Sequence, residues 1–324
     1  MAEASIPVDL VNPGQVFACL GFLEAAEVLL GDAEGGFDWG DEAHVRFHLR
    51  AKGEENPFAV VLEFLATAKP QRWAPIGYSD PPPKKGQPAE EAEDGDDNDD
   101  GADPFGAARD KGGMLGLSEV FYAAKGDRMS LPIRLGGGNR PVVELGHWAD
   151  GSSRDSFKLY AGNRSADRIA HAMLMGVRCK PMKNQAIGDL KAKGIAQLWE
   201  KQRDDLIERP FHLLTPMGGS FNFDPRGAWT AIDAGYSPNE HKHLIEASPV
   251  VEFLAAWGLE NARPVEFGVR QVQYAVWGAS LPPMLARAAL AGSLTMIPLR
   301  QFRFDLDLAG KNKVVTFAQE EPRT

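Results

Sequence analysis

The sequence has only two cysteines among its 324 residues, Cys19 and Cys179, and they do not form a CxxC pair. A disulfide framework, a zinc ribbon and an iron–sulfur site are therefore excluded. The chain also lacks the run of about 18 apolar residues that a membrane-spanning helix needs. A secretory signal begins with a positively charged segment, but the first ten residues contain no lysine or arginine. We expect a cytoplasmic protein with no membrane segment.

Motifs of covalent or cofactor-dependent catalysis are also missing. There is no GxSxG elbow, and the glycine-rich residues 136–139 fit neither GxGxxG nor GxxxxGK[ST]. The histidines in residues 239–243 lack the spacing of a helical zinc-binding pair, and Asp305 and Asp307 are typical of a solvated strand face. We therefore predict no enzyme activity, no metal and no cofactor.

Charge is distributed unevenly along the chain. The formal net charge is −10, yet residues 80–113 hold eleven acidic residues against four basic ones, a local balance of −7. Residues 154–203 hold eleven basic residues against four acidic ones, a local balance of +7. A strongly basic segment in an acidic protein points to a polyanionic partner.

The acidic residues fall in a segment that divides the chain. Residues 79–113 are rich in proline, glycine and acid and have almost no large apolar side chain. Such a segment cannot bury enough surface to offset its ordering entropy, so we predict a disordered insertion. The predicted organisation is an N-terminal α+β unit at 1–78, this insertion, and a second α+β unit at 114–324 that carries a basic helical segment at 154–207.

The N-terminal unit shows a regular order of elements. Alternating and helical apolar patterns predict β-α-β-β-α-β, the ferredoxin-like or RRM-like order, with strands and helices at 5–10, 13–30, 35–39, 43–51, 56–68 and 72–78. The fold class predicted for the whole chain is α+β, with such elements, antiparallel sheets and packed helices.

The second unit is predicted to begin with a β-hairpin whose tip, residues 136–139, is flexible. Helices are predicted near 164–177, 184–207 and 249–259, and residues 281–292 are predicted to form a short helix or a loop. A long strand at 263–277 and two C-terminal strands that meet at residues 309–311 complete the expected elements.

Two groups of cations are candidates for phosphate contacts. In the strand HVRFHLRAK, Val45, Phe47 and Leu49 alternate with histidines and arginines, which predicts a cationic outer face. This face either contacts phosphates, as RRM-type sheets do, or is the solvated side of a half-buried strand. The hairpin and the basic segment supply further cations, which bind the nucleic-acid backbone by charge. The predicted contacts are Arg46, Arg50, Arg134, Arg140, Arg154, Lys158, Arg164, Arg168, Arg178, Lys180 and Lys183.

The aromatic-rich stretch 218–243 leaves two interpretations open. Phe221, Phe223, Trp229 and Tyr236 lie among glycines, prolines and basic residues. Such aromatics either stack on nucleobases or fasten irregular loops to a core.

Three stretches resemble a CRISPR-associated family: IPVDLVNPGQVFACLGFLEAAEVLLGDAEGGFDW, FNFDPRGAWTAIDAGYSPNEH and PVVEFLAAWGLENARP. It is the large-subunit family of type I-G (formerly I-U) antiviral systems. The resemblance implies a subunit of a crRNA-guided, Cascade-type surveillance complex that helps to recognise the protospacer-adjacent motif on target DNA, while guide pairing reads the remaining sequence. The implied partners are crRNA, target DNA, the other subunits of the complex and a helicase-nuclease recruited in trans. No family motif assigns base-reading residues.

Two alternative functions remain open. One is an RRM-like endoribonuclease that matures crRNA, with His44 or His48 as general base and a nearby cation that stabilises the transition state. The other is a scaffold that holds neighbouring subunits and binds no nucleic acid.

Overall fold

The computed structural model describes residues 1–73, 124–125, 128–129, 132–137, 139–147, 166–179, 188–217, 219–227, 246–309 and 312–322. Within these ranges, seven α-helices combine with small antiparallel sheets. The predicted mixed α+β class is confirmed at this level. None of the helices in these ranges is long and apolar enough to cross a membrane.

The helices are α1 (Pro13–Leu29), α2 (Pro57–Thr67), α3 (Ala166–Met175), α4 (Ile195–Lys201), α5 (Arg203–Glu208), α6 (Pro249–Asn261) and α7 (Pro283–Leu290). The strands of the first half are β1 (Ala2–Pro7), β2 (Glu34–Asp38), β3 (Arg46–Ala51), β4 (Gln71–Arg72), β5 (Ala124–Lys125), β6 (Arg128–Met129), β7 (Ile133–Gly137) and β8 (Arg140–Leu145). The remaining strands are β9 (Val177–Arg178), β10 (Leu190–Ala192), β11 (Thr215–Pro216), β12 (Glu246–Ala247), β13 (Val265–Gly268), β14 (Gln271–Trp277), β15 (Leu299–Ala309), β16 (Asn312–Val315) and β17 (Gln319–Glu320).

The N-terminal elements follow the predicted order β-α-β-β-α-β. Strands β1, β3 and β2 form an antiparallel sheet with β3 in the centre. The short strand β4 pairs with β7 of the following hairpin, in a separate sheet β4-β7-β8. The complete ferredoxin-like topology therefore stays a prediction.

Helix α1 begins where capping chemistry predicts. The side chain of Asn12 accepts a hydrogen bond from the Gln15 amide at 3.2 Å, and Pro13 occupies the first turn, where no amide donor is needed. The residues from Pro13 to Ala26 are all buried. The apolar surface of the helix is therefore the centre of the fold.

The main partner of α1 is α6, which runs beside it in the same direction. A Cβ atom built on Gly21 would clash with the carbonyl oxygen of Leu254 and lie 2.8 Å from its carbonyl carbon. One built on Gly258 would clash with the carbonyl oxygen of Phe17. The two helix backbones therefore touch, and glycine is required at the contact.

The core extends over both predicted units. Phe17 of α1 packs edge-on against Tyr274 of β14, with ring centroids 5.6 Å apart, and Phe37 of β2 packs against Trp277 at 5.0 Å. Buried side chains from residues 6–68 and 250–318 belong to one hydrophobic cluster. The predicted boundaries at 78 and 114, like the acidic insertion at 79–113, lie outside the described residues, so the division into units stays a prediction.

Two predicted elements are wrong. In the described part of 184–207, the chain forms β10 and the short helices α4 and α5 instead of one helix. Gly194 lies so close to α3 that a Cβ would be 2.7 Å from the Leu174 carbonyl oxygen, and this contact fixes extended backbone there. The predicted strand 263–277 is the hairpin β13–β14, which turns at Arg270 with a φ of 61°. Tertiary contacts therefore override the helical pattern of 184–207, and the positive φ of Arg270 divides the predicted strand 263–277 into two.

The hairpin predicted around residues 136–139 forms from β7 and β8. Gly136 has a φ of 91° and sits at a shift in register, and a Cβ there would lie 3.1 Å from the carbonyl carbon of Pro141. Gly136 is thus a packed bulge rather than the flexible position we expected. Gly138 lies outside the described residues.

Candidate nucleic-acid interface

Strand β3 displays the alternation that its sequence predicts. Phe47 and Leu49 are fully buried, whereas Arg46 and Arg50 are exposed and His48 is half-buried. Because β3 is the central strand, these polar side chains lie in the middle of the outer sheet face.

The neighbouring strands supply carboxylates to this face. Arg50 lies directly opposite Glu3 of β1 and Glu34 of β2, and its guanidinium forms an ion pair with Glu34. Arg46 instead donates to the hydroxyl and the carbonyl oxygen of Ser5, at 2.8 and 2.7 Å. The face is therefore mixed in charge: Asp38 of β2 lies opposite Arg46 in the strand register, but Arg46 forms no ion pair with a described residue.

A shallow cleft of about 300 Å³ opens beside His48. The imidazole Nδ1 lies 3.4 Å from Glu3 and its Nε2 lies 4.0 Å from Asp38. Residues 278–280 also line the cleft. His44, the other predicted base, is outside this cleft: its Nδ1 binds Asp41 at 2.8 Å, which lowers the pKa of the Asp41 carboxyl.

The hairpin β7–β8 carries two of the predicted contacts. Arg134 forms a 2.8 Å ion pair with Glu144, and its guanidinium carbon lies 4.6 Å from the centroid of the Trp73 ring. Arg140 donates to the hydroxyl of Thr67 at the end of α2. Arg134 is thus neutralised by a carboxylate, and Arg140 is held by a neutral oxygen.

The basic segment is described only in part. Arg168 lies on α3 and is half-buried, and Arg178 of β9 donates to the carbonyl oxygen of Gly188 at 3.3 Å. Arg154, Lys158, Arg164, Lys180 and Lys183 lie outside the described residues. Their role stays a prediction.

The described candidate arginines with a known hydrogen-bond acceptor fall into two groups, according to whether that acceptor is charged or neutral. Arg50 and Arg134 form ion pairs with glutamates. Within the described ranges, Arg46, Arg140 and Arg178 bind only neutral oxygens. A guanidinium held by neutral acceptors keeps its charge and its remaining donors for phosphate. These three arginines are the strongest candidates.

The described part of the aromatic-rich stretch is unavailable for base stacking. Phe221 and Phe223 are each only 2% exposed and belong to the core. The alternative interpretation, that these aromatics fasten a loop, is confirmed for this pair. Trp229, Tyr236 and residues 239–243 lie outside the described ranges.

A buried polar network holds this loop against the two central helices. Glu252 of α6 accepts from the backbone amides of Phe221, Phe223 and Asp224 at 2.8–3.1 Å. Asp224 in turn accepts from Asn12 and Ser248, the N-cap residues of α1 and α6, and from Arg226. Burial raises the pKa of Glu252 to about 7, although the amide donors act in the opposite direction.

Sequence reasoning missed this network, although one signal was present. Each N-cap residue precedes a proline at the helix start, at Asn12-Pro13 and Ser248-Pro249. Local pattern gives no means of showing that both caps meet Asp224. The described residues contain no group of three histidine, cysteine or carboxylate side chains suited to a metal ion.

Comparison of the chain with protein-family models, with curated proteins and with solved structures gives no match. Functional conclusions therefore depend on its own residues, their geometry and the family resemblance of the three stretches.

Proposed function

We propose that the chain is a nucleic-acid-binding subunit of a crRNA-guided type I-G surveillance complex. In this role it contributes to recognition of target DNA and its protospacer-adjacent motif, and the other subunits and crRNA are its partners. A ferredoxin-like arrangement of the N-terminal unit and a cytoplasmic location belong to the same proposal. The resemblance supplies the family, and the three arginines held by neutral oxygens support binding to a phosphate backbone.

Three arginines keep their positive charge free of a carboxylate partner among the described residues. Arg46, Arg140 and Arg178 are held in place by hydroxyl or carbonyl oxygens, so their side chains are partly ordered before a ligand arrives. Arginine binds phosphate through bidentate hydrogen bonds as well as charge. Contacts of this type position a protein on nucleic acid without reading its sequence.

The salt dependence of binding tests this placement. We expect the triple substitution Arg46→Gln, Arg140→Gln and Arg178→Gln to weaken binding to duplex DNA and to crRNA. The slope of log K against log salt should fall by about one unit per lost phosphate contact, about three in total. Fluorescence anisotropy at a series of salt concentrations measures both quantities.

Arg209 provides the matched control. It is exposed and forms a 3.0 Å ion pair with Asp205 four residues earlier, so Arg209→Gln removes one positive charge from a neutralised position and is compared with each of the three substitutions made singly. We expect its slope to equal that of the wild type. An unchanged slope in the triple variant contradicts the placement, and copurification with the neighbouring subunits without affinity for DNA or RNA favours a scaffold.

The cleft beside His48 favours a second candidate function, RNA cleavage. An imidazole between two carboxylates, with Arg50 in the same cleft, has the residue types of general acid–base catalysis. Because the cations of this face are largely neutralised, we expect the protein to bind repeat RNA without cutting it. Gel analysis of repeat RNA incubated with EDTA tests this. Specific cleavage that is lost in His48→Ala would replace the first proposal by the ribonuclease.

A further inference from the structure

Two unused hydrogen-bond donors lie side by side at the base of the hairpin β7–β8. The indole Nε1 of Trp73 and the guanidinium Nε of Arg134 are buried atoms with no acceptor among the described residues. Other polar atoms of these two residues are engaged, since the Trp73 amide donates to Pro132 at 2.9 Å and Arg134 Nη2 donates to Glu144 at 2.8 Å. Buried donors are usually paired, so two together need an explanation.

The strand register explains why the donors meet. Gln71 of β4 lies opposite Arg134 of β7, and Trp73 lies two residues beyond Gln71 on the same side of the chain. Trp73 and Arg134 are therefore a diagonal cross-strand pair, within reach of long side chains. The guanidinium lies over the indole with 4.6 Å between its carbon and the ring centroid, so the two donor side chains are in contact.

We propose that Trp73 and Arg134 form a binding site for a phosphodiester group of nucleic acid, whose oxygens accept from the two unused donors. This inference depends on the proposed function and specifies one of its contacts. An oxygen ligand supplies what the site lacks, because both groups can donate and neither can accept. The Arg134 side chain as a whole is 36% exposed, whereas the two unused donor atoms are buried, so a ligand reaches them only when the side chains above them move aside.

Charge on the same hairpin favours phosphate over a neutral carbonyl ligand. Glu144 neutralises Arg134, but Arg140 binds the neutral hydroxyl of Thr67 and adds a positive charge. An anion that accepts from Trp73 and Arg134 is attracted by Arg140, which lies nearer the tip of the hairpin, and competes with Glu144 for Arg134. A peptide carbonyl of a partner protein would satisfy the donors but would gain little from that charge.

The indole N–H gives a direct readout in the full-length protein. In ¹⁵N-labelled protein, each of the seven tryptophans contributes one indole resonance, and Trp73→Phe assigns that of Trp73 by its loss. We expect titration with a 12-nucleotide single-stranded RNA or a 20-base-pair DNA to move the Trp73 resonance downfield. Trp73→Phe keeps an aromatic ring under the arginine, and we expect it to weaken binding about tenfold, as for one lost charged hydrogen bond.

Two further variants complete the test. Arg134→Lys keeps the charge but removes the Nε donor, so it should weaken binding to a similar extent. Trp39→Phe is the matched control, because Trp39 also lies under an arginine, Arg300, at 5.9 Å, and its affinity should equal that of the wild type. Thermal unfolding verifies that each variant is folded.

The outcomes separate this site from the proposed function. If wild type binds the oligonucleotides while the Trp73 resonance stays in place and Trp73→Phe binds equally well, the site is refuted and the proposed function stands. If no oligonucleotide binds at low salt, the proposed function itself fails. A Trp73 shift caused by a neighbouring subunit, and by neither oligonucleotide, would overturn the assignment to phosphodiester.

Discussion

Replacing Gly21 or Gly258 by alanine is expected to abolish the fold. Each new methyl group would overlap a backbone carbonyl oxygen of the facing helix, that of Leu254 or that of Phe17. Backbone atoms cannot rotate away as a side chain can, so α1 and α6 would have to separate along their whole contact. Overpacking typically costs about 1–3 kcal/mol, and we expect this case to exceed that range because both partners are rigid.

The measurement is urea unfolding followed by circular dichroism, together with the soluble yield. Gly40→Ala serves as control, because a Cβ at Gly40 meets only the side-chain oxygen of Asp38, at 3.2 Å. Its free energy of unfolding should stay within about 0.5 kcal/mol of wild type, as for other surface changes. A Gly21→Ala protein with wild-type stability would show that the helices do not touch as described.

Replacing Glu252 by alanine is expected to have the second largest effect. The substitution leaves three buried amide donors, those of Phe221, Phe223 and Asp224, without their acceptor. Each unsatisfied buried donor costs about 1–3 kcal/mol, so we expect a total loss of at least about 3 kcal/mol near pH 5. Urea unfolding at that pH measures it.

The pH dependence of this loss provides a separate check. The pKa of Glu252 is about 7 in the folded protein against 4.5 for an ordinary glutamate, so the folded state holds a proton that the unfolded state releases between these values. The stability contributed by this group is therefore fully present below pH 4.5 and declines as pH rises to about 7, by up to about 1.4 kcal/mol per pH unit.

Glu252→Gln, which cannot titrate, isolates this contribution. The unfolding free energy of the wild type minus that of Glu252→Gln should decrease as pH rises from 5 to 7.5, because only the wild type loses a proton from this site. A difference that stays constant over this range would show that Glu252 is ionised throughout in the folded state.

Local sequence signals were sufficient to place several elements. Helical apolar patterns predicted α1 and α2, and alternation predicted β3, because burial of one face shows within a few residues of sequence. They failed where distant contacts decide the conformation. Gly194 interrupts the predicted helix 184–207 because it packs against α3, and no local pattern reports that contact.

The candidate interface shows the same division. Sequence alone placed Arg46, His48 and Arg50 on one face of a strand, because alternation needs no knowledge of neighbours. It did not show that Glu34 neutralises Arg50, or that Trp73 lies under Arg134, because strand pairing determines both. The register of the strands therefore determines which arginines have a carboxylate opposite them and which do not.

The pairing of α1 with α6 also affects how the chain folds during synthesis. The apolar surface of α1 leaves the ribosome well before its cover, α6, which begins at Pro249, and Asn12 meets Asp224 only across 212 residues. At about 5–20 residues per second, α1 waits on the order of ten seconds or more for its partner. Closing so long a loop is slow, so the nascent N-terminal segment is an expected substrate for chaperones.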